Sequence, residues 1–262
     1  DPDGLAVQRG GVAAARDDAD LAVLLLLQTE RRRCPADVDL PGQRLRERRG
    51  RAARRRQLHL HAMMALEEDM IGIAMTNASP LVAPVNSIER LLGTNPICVA
   101  IPAGKQPPFV ADFATTTAAN GKLEILQRKN QLAPSGWIQT RDGESSTNPD
   151  ELKSGGALIP LGSDKEHGSH EGYCLGAWVD IFSAVLSGAN YGPWVPPFVS
   201  FLAPPADPVG KGIGHFFGAM RIDAFRPASE FKSHMDNWIT RFRNAKTIDG
   251  ADRVLIPGDP ER

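Results

Sequence analysis

Three short apolar runs between residues 62 and 122 constrain the fold of this chain more than any other feature. They occupy residues 70–75, 97–101 and 109–113. Each has the length and composition of a buried strand. Small polar residues lie repeatedly at the ends of these runs, where sheet enzymes present backbone amides and hydroxyl groups to ligands. The stretch therefore predicts strands with ligand-binding chemistry at their ends.

The later sequence adds helices, a turn and one further strand. Residues 173–188 carry apolar side chains at helical spacing and predict an amphipathic helix. The glycine-rich loop before it opens onto a helix N-terminus, where backbone N–H groups favour anions. Asp142-Gly143 predicts a hairpin turn, and alternation within residues 214–225 predicts a strand. Ser229 is the predicted N-cap of a final helix.

Composition limits the classes of function. The chain has 262 residues and a net charge of −1, so it has no overall attraction to nucleic acid or membrane surfaces. Its three cysteines are widely spaced, which predicts reduced thiols of a cytoplasmic protein, with no disulfide framework and no metal site. The apolar run at residues 21–27 is too short to span a bilayer.

Residues 1–61 differ in composition from the rest of the chain. They hold thirteen arginines and no lysine, whereas all eight lysines come later. Three interpretations fit: a basic arm that grips the phosphates of nucleic acid, a disordered and solvated tail, or a stretch translated out of frame from a GC-rich gene. We favour the third, because clustered like charges oppose a helix and because residue 62 lies inside a helical pattern rather than in a linker.

Five blocks of sequence carry a family resemblance. They are TNASP, LLGTNPICVAIPAG, FVADFAT, LIPLGSDKEHGSHEGYCLGAWVDIFSAVLSGANYG and GKGIGHFFGAMRIDAF. In order and spacing they resemble the type 2 malate/L-lactate dehydrogenases. The resemblance implies that residues 62–262 form an α/β (α+β) domain with a largely antiparallel or mixed sheet flanked by helices, and a cofactor-binding core at about residues 70–225. The absence of GxGxxG after a strand agrees with a family that does not use the Rossmann fold.

The resemblance also implies a reaction. Members of this family transfer a hydride between a nicotinamide cofactor, NAD or NADP, and the C2 carbon of a 2-hydroxy or 2-oxo acid. Malate or L-lactate is the substrate that the resemblance implies here. It also implies a homodimer with a small-molecule substrate. The net charge of −1 argues against nucleic acid or membrane as a partner.

The resemblance assigns residues to the cofactor and the substrate. Thr94 matches the hydroxyl that contacts the substrate, with a plain turn residue as the alternative. The matches to cofactor-contacting positions are Asn77, Ala78, Asp112, Phe113, Ala114, Gly214, His215 and Phe216. Among these, Asn77 could simply end a strand, Asp112 could cap a turn, and His215 could be structural.

Two departures from the family pattern bear on activity. Glu171 stands where the family has a cofactor-contacting lysine, and Lys165 is the nearby residue that could substitute for it. Arg54 falls where the catalytic His-Phe-Gly motif is expected, so the proton donor is not assigned; His59 and His61 are the candidates closest in sequence. The competing hypotheses are therefore a catalytically impaired remnant and a protein that binds nucleic acid through the Arg-rich arm.

Overall fold

A computed structural model describes residues 57–260 of the chain. Its centre is an antiparallel sheet of four strands in the order β3-β2-β1-β7. The strands are β1 (Met70–Thr76), β2 (Ile97–Ile101), β3 (Phe109–Phe113) and β7 (His215–Arg221). The three predicted apolar runs are thus confirmed as strands, and the strand predicted within residues 214–225 is β7.

Helix α1 (Gln57–Met64) crosses one face of this sheet and continues as a 3₁₀ turn, Ala65–Glu68. Small residues let the helix approach the sheet closely: Ala62 of α1 and Ala74 of β1 are both buried at this contact. A Cβ atom on Gly72 would lie 1.8 Å from the Ala62 carbonyl oxygen, so only glycine fits there. The helix begins at Gln57, before residue 62, where the predicted domain begins. The domain boundary at residue 62 stays a prediction.

Helix α3 (Ser169–Asp180) packs on the other face and runs on into a π-helical turn, Ile181–Val185. Met75, Ile97, Val179 and Phe216 form the buried cluster between them. The helix begins four residues earlier than the predicted start at Tyr173, because Gly168 adopts a φ of 87° and ends the preceding loop there.

A second sheet of three short strands has the order β5-β4-β6. The strands are β4 (Ile138–Gln139), β5 (Ser145–Ser146) and β6 (Ala157–Leu158), and α2 (Asn120–Lys129) precedes them. β4 and β5 pair as the predicted hairpin through Asp142-Gly143. Leu123, Ile138 and Leu158 belong to the buried cluster of this region.

Helix α4 (Ala228–Arg243) lies at the far end of the main sheet. Its Asp236 carboxylate accepts hydrogen bonds from the backbone N–H groups of residues 104–106, in the turn between β2 and β3. The predicted N-cap at Ser229 is wrong: Pro227 precedes the helix, and Ser229 lies within its first turn. Pro227 therefore occupies the N-cap position, and no side-chain hydrogen bond caps the helix.

The predicted fold class is confirmed: helices flank sheets whose strand pairs are all antiparallel among the described elements. A parallel Rossmann sheet is not what these residues form. No helix within residues 57–260 combines the length and the apolar composition that crossing a membrane requires.

Candidate active site

The antiparallel topology gathers the predicted site residues at one end of the main sheet, where β1 and β3 finish and β2 and β7 begin. Thr76 at the end of β1 pairs with His215 at the start of β7, and Ile97 at the start of β2 pairs with Phe113 at the end of β3. Met75 pairs with Ile97 and joins the two halves. We call this row of four strand ends the site edge. The residues predicted for substrate or cofactor that lie at or next to it are Asn77, Ala78, Thr94, Asp112, Phe113, Ala114, Gly214, His215 and Phe216.

Asn77 is a structural hub of the site edge. Its side-chain N–H group donates to Asp180 at 3.1 Å and to the Asn190 carbonyl at 2.8 Å. Its side-chain oxygen accepts from the Gly214 N–H at 2.9 Å. Asn77 is buried, so these bonds fix the start of β7 against the end of β1 and α3. A direct contact between Asn77 and a cofactor stays a prediction.

Asp180 is a buried carboxylate that sequence reasoning missed. It accepts from Asn77 and, at 2.7 Å, from the Gly192 N–H. Burial raises the pKa of Asp180, while the hydrogen bonds from Asn77 and Gly192 oppose that rise. A lone carboxylate inside the apolar stretch WVDIF was the signal that could have found it.

Hydrogen bonds join the turn before β2 to the loop after β1, to α3 and to the loop after β3. Asn95 is buried; its side-chain oxygen accepts from the Ala78 N–H at 3.1 Å, and its side-chain N–H donates to the Gly176 carbonyl at 2.8 Å. Thr94 is half-buried, and its carbonyl accepts from the backbone N–H of Thr115 at 3.0 Å. The loops after β1 and β3 and before β2 therefore hold one another in place around Thr94.

The α1 face of the sheet carries ionisable side chains at the same edge. His59, Cys98 and Asp112 lie together there, with Cys98 and Asp112 directly opposite each other on β2 and β3. Burial first, and the Asp112 charge second, raise the pKa of Cys98 to about 12, so its thiol is neutral and a poor nucleophile. The other thiol among the described residues, Cys174, is exposed on α3.

Two histidines flank an aromatic ring on the same face. The ring of His61 lies 4.6 Å from that of Phe217, and Phe217 stacks with His215 at 5.9 Å. The Nδ1 atom of His215 is buried and makes no hydrogen bond to the described residues. Burial, and then the charge of His61, lower the pKa of His215 below its ordinary value of 6.5.

His215 makes stability pH-dependent in a defined window. Below pH 6.5 an unfolded chain takes up a proton that folded His215 resists. The free energy of unfolding should therefore fall as the pH drops from 6.5 towards the lowered pKa of His215, and His215→Gln should flatten that slope. Urea unfolding across this range measures it, with exposed His170→Gln as the control. Equal slopes in the parent and His215→Gln would contradict the assignment.

The sequence profile of the malate/L-lactate dehydrogenase family matches residues 55–262. This chain belongs to that family. Malate dehydrogenase of Pyrococcus horikoshii is 41% identical over 200 residues, which are 76% of this chain and 53% of that protein. L-sulfolactate dehydrogenase of Methanocaldococcus jannaschii is 33% identical over 201 residues, covering 77% and 54%. The chain spans about half the length of the curated relatives it matches.

The fold agrees with the family. The crystal structure of malate dehydrogenase from Entamoeba histolytica superimposes with a TM-score of 0.67 at 32% identity, over 76% of this chain and 55% of that one. The malate dehydrogenase structure of Pyrococcus horikoshii gives a TM-score of 0.64 at 37% identity. The family resemblance drawn from the five sequence blocks is thus confirmed.

The loop that leads into α3 belongs to the site edge of this family member. The Leu161 N–H donates to the Thr115 carbonyl at 3.0 Å, which ties the loop to the end of β3. Gly162 and Gly168 both have positive φ and lie against each other, where a Cβ on Gly162 would be 2.4 Å from Gly168. Lys165 in this loop and Glu171 in the first turn of α3 are both exposed.

The loop histidines form local contacts. His167 pairs with Asp164 through its ring, and its N–H donates to the same carboxylate at 2.9 Å. The bond to the His167 ring holds the pKa of Asp164 below its usual range. His170 is exposed in the first turn of α3, so both histidines lie at the surface.

The remaining features lie away from the site edge or outside the described residues. A surface depression of about 810 Å³ lies on and after α4, which packs at the opposite end of the main sheet. Its lining residues are Asn237, Thr240, Arg241, Asn244 and Lys246. Arg54 and the rest of the Arg-rich segment before residue 57 lie outside the described residues.

Proposed function

We propose that this chain is an NAD(P)-dependent oxidoreductase that transfers a hydride between nicotinamide and a 2-hydroxy or 2-oxo acid of the malate or L-lactate type, as a homodimer in the cytoplasm. The observation that carries the proposal is the site edge. Residues that the family resemblance assigned from four separate blocks come together at four strand ends. Membership in the malate/L-lactate dehydrogenase family supports the reaction class.

The described residues fit a nicotinamide cofactor in most respects. Helix α3 begins directly after a tight glycine loop, and the positive end of a helix dipole suits a pyrophosphate. His215 has a buried ring nitrogen without a partner among residues 57–260, at a strand that the resemblance assigns to the cofactor. The bound cofactor would supply or accept the hydride. The protein's part is to hold it against the substrate and to exclude water.

Thr94 is the residue we assign to the substrate. Hydrogen bonds fix the backbone on both sides of it, and its side chain is half-buried at the site edge. A hydroxyl held this rigidly can orient a carboxylate or carbonyl oxygen for attack at C2. The acid that protonates the carbonyl oxygen is not assigned, and His59 and His61 on α1 stay the candidates.

An impaired enzyme is the second candidate function, and two residues favour it. Arg54 replaces the family's histidine, and a guanidinium does not release a proton near neutral pH. Glu171 replaces a cofactor-contacting lysine and brings a negative charge towards a phosphate-bearing ligand. Both changes weaken the reaction without removing the site edge.

The homodimer part of the proposal is supported by an apolar surface on α3 and the π-helical turn. Trp178, Ile181, Val185 and Leu186 are each between 40% and 54% exposed along this helical stretch. Large exposed apolar patches commonly mark surfaces that another protein covers. We assign this patch to a second copy of the chain, because the resemblance implies a homodimer.

Isotope transfer tests the reaction even if turnover is slow. NADH or NADPH deuterated at C4 is incubated with oxaloacetate or pyruvate, and the product is analysed by mass spectrometry and by its chirality. The proposal predicts protein-dependent deuterium at C2 of malate or lactate. Product without label at C2, or label that appears equally without protein, would overturn it.

Glu171→Lys is expected to tighten cofactor binding. Removing a carboxylate near the cofactor phosphates and adding a cation should contribute about 1 kcal/mol at this exposed position, or about fivefold in Kd. Fluorescence titration with NADH and NADPH measures the change. Glu144→Lys makes the same charge change at the exposed hairpin and serves as the control. An equal Kd for the parent and both variants would mean that Glu171 faces away from the cofactor.

A further inference from the structure

Three side chains with metal-binding atoms meet on the α1 face of the main sheet. A ring nitrogen of His59, the sulphur of Cys98 and a carboxylate oxygen of Asp112 all lie within 4.8 Å of one another. We propose that they bind a divalent transition-metal ion of the zinc class, with one coordination position left open. The proposal goes beyond the hydride-transfer function, although two of the ligands, Asp112 and His59, are also residues considered for that function.

The ligand set selects the class of ion. A thiolate and an imidazole are soft or borderline ligands that suit zinc and its relatives, whereas magnesium and calcium prefer oxygen ligands alone. Three protein ligands with a free fourth position are typical of open zinc sites. Cysteine spacing does not reveal this site, because only one of the three ligands is a cysteine. The ligands come from α1, β2 and β3 and are far apart in sequence.

The geometry needs little adjustment. Ligand atoms around a tetrahedral zinc ion lie about 3.4–3.6 Å apart, from the usual zinc–ligand bond lengths. The observed limit of 4.8 Å is therefore wider by about 1 Å. Cys98 is fixed in the core, so closing this gap requires side-chain rotation of Asp112, which is exposed, and of His59, which is half-buried.

The protein fixes these ligands through its regular structure. Cys98 and Asp112 are Cα partners on adjacent antiparallel strands, so their side chains leave the sheet on the same face. His59 comes from α1, whose close packing on β1 is set by Gly72. The exposure of Asp112 gives the ion a route from solvent.

The local electrostatics suit a cation. The Asp112 carboxylate lies beside the Cys98 sulphur and places negative charge at the site. A coordinated divalent ion supplies positive charge between the sulphur and the carboxylate and removes the thiol proton outright.

Cobalt titration tests the site without any cofactor present. The purified chain, with no polyhistidine tag, is titrated with Co²⁺, and the ultraviolet thiolate-to-cobalt charge-transfer band is recorded. We expect a band that saturates at one Co²⁺ per chain and disappears on addition of Zn²⁺. Cys98→Ala and His59→Gln should each lose it, whereas Cys174→Ala and His170→Gln should keep it.

The controls separate this site from other thiols and from misfolding. A band that survives in Cys98→Ala would place the metal on Cys34 or Cys174 and overturn the proposal, as would the absence of any band. Because Cys98 is a core residue, circular dichroism must show that Cys98→Ala is folded. His59→Gln changes a half-buried helix residue and decides the matter if Cys98→Ala is not folded.

Discussion

Reduction of oxaloacetate or pyruvate by the unmodified chain should be slower by about a hundredfold to ten-thousandfold than by the same chain with a proton donor restored. The physical reason is Arg54, which occupies the expected place of the family's catalytic histidine. An arginine holds its proton near neutral pH and so cannot deliver it as the hydride arrives. Thr94 and the strand ends at the site edge keep part of the positioning.

The restored chain carries Ser-His-Phe-Gly at residues 53–56, in place of Ala-Arg-Arg-Arg. Steady-state oxidation of NADH and NADPH with both oxo acids measures turnover. A matched variant with Gln in place of the new histidine separates proton donation from the loss of positive charge. If the unmodified chain turned over at the rate of the restored one, the assignment of Arg54 would be wrong, and His59→Gln and His61→Gln would be tested next.

The largest effect on stability is expected for Asn77→Ala. The change leaves three buried groups short of a partner, namely the Asp180 carboxylate, the Asn190 carbonyl and the Gly214 N–H. Each unsatisfied buried group costs about 1–3 kcal/mol, so the free energy of unfolding should fall by about 3 kcal/mol or more. Urea unfolding followed by circular dichroism measures this loss.

Asn237→Ala, on the exposed side of α4, is the matched control and should change the free energy of unfolding by less than about 0.5 kcal/mol. Asn77→Asp is a second, isosteric variant that places a carboxylate beside Asp180. Like charges at this distance repel, so its stability should recover in part at acidic pH. Similar losses for Asn77→Ala and Asn237→Ala would show that the hub contributes little.

The sequence was most informative where a local pattern continued without interruption. Residues 70–75, 97–101 and 109–113 are apolar runs of strand length, and each forms a strand of the main sheet. The Asp142-Gly143 hairpin was equally local, because its turn chemistry is contained in two residues. The start of α3 was missed by four residues, since its first turn holds His170 and Glu171 rather than the apolar residues that define the periodicity.

The candidate site was predictable only in part. The family blocks led to the residues of the site edge, but not to the buried bonds that hold them. The role of Asp180 was not predicted, because only folding brings its partners Asn77 and Gly192 next to it. The cluster of His59, Cys98 and Asp112 is likewise a product of the β2–β3 register and of the docking of α1. Such constellations depend on tertiary packing, which one sequence without its fold does not specify.

The site edge is expected to bind a nicotinamide cofactor, and a binding measurement tests this without requiring a proton donor. The unmodified chain, shown to be folded by circular dichroism, is titrated with NADH and with NADPH while nicotinamide fluorescence is recorded. We predict a saturable change for at least one of the two cofactors, with one cofactor bound per chain. A folded chain that shows no saturable change with either cofactor would contradict the claim.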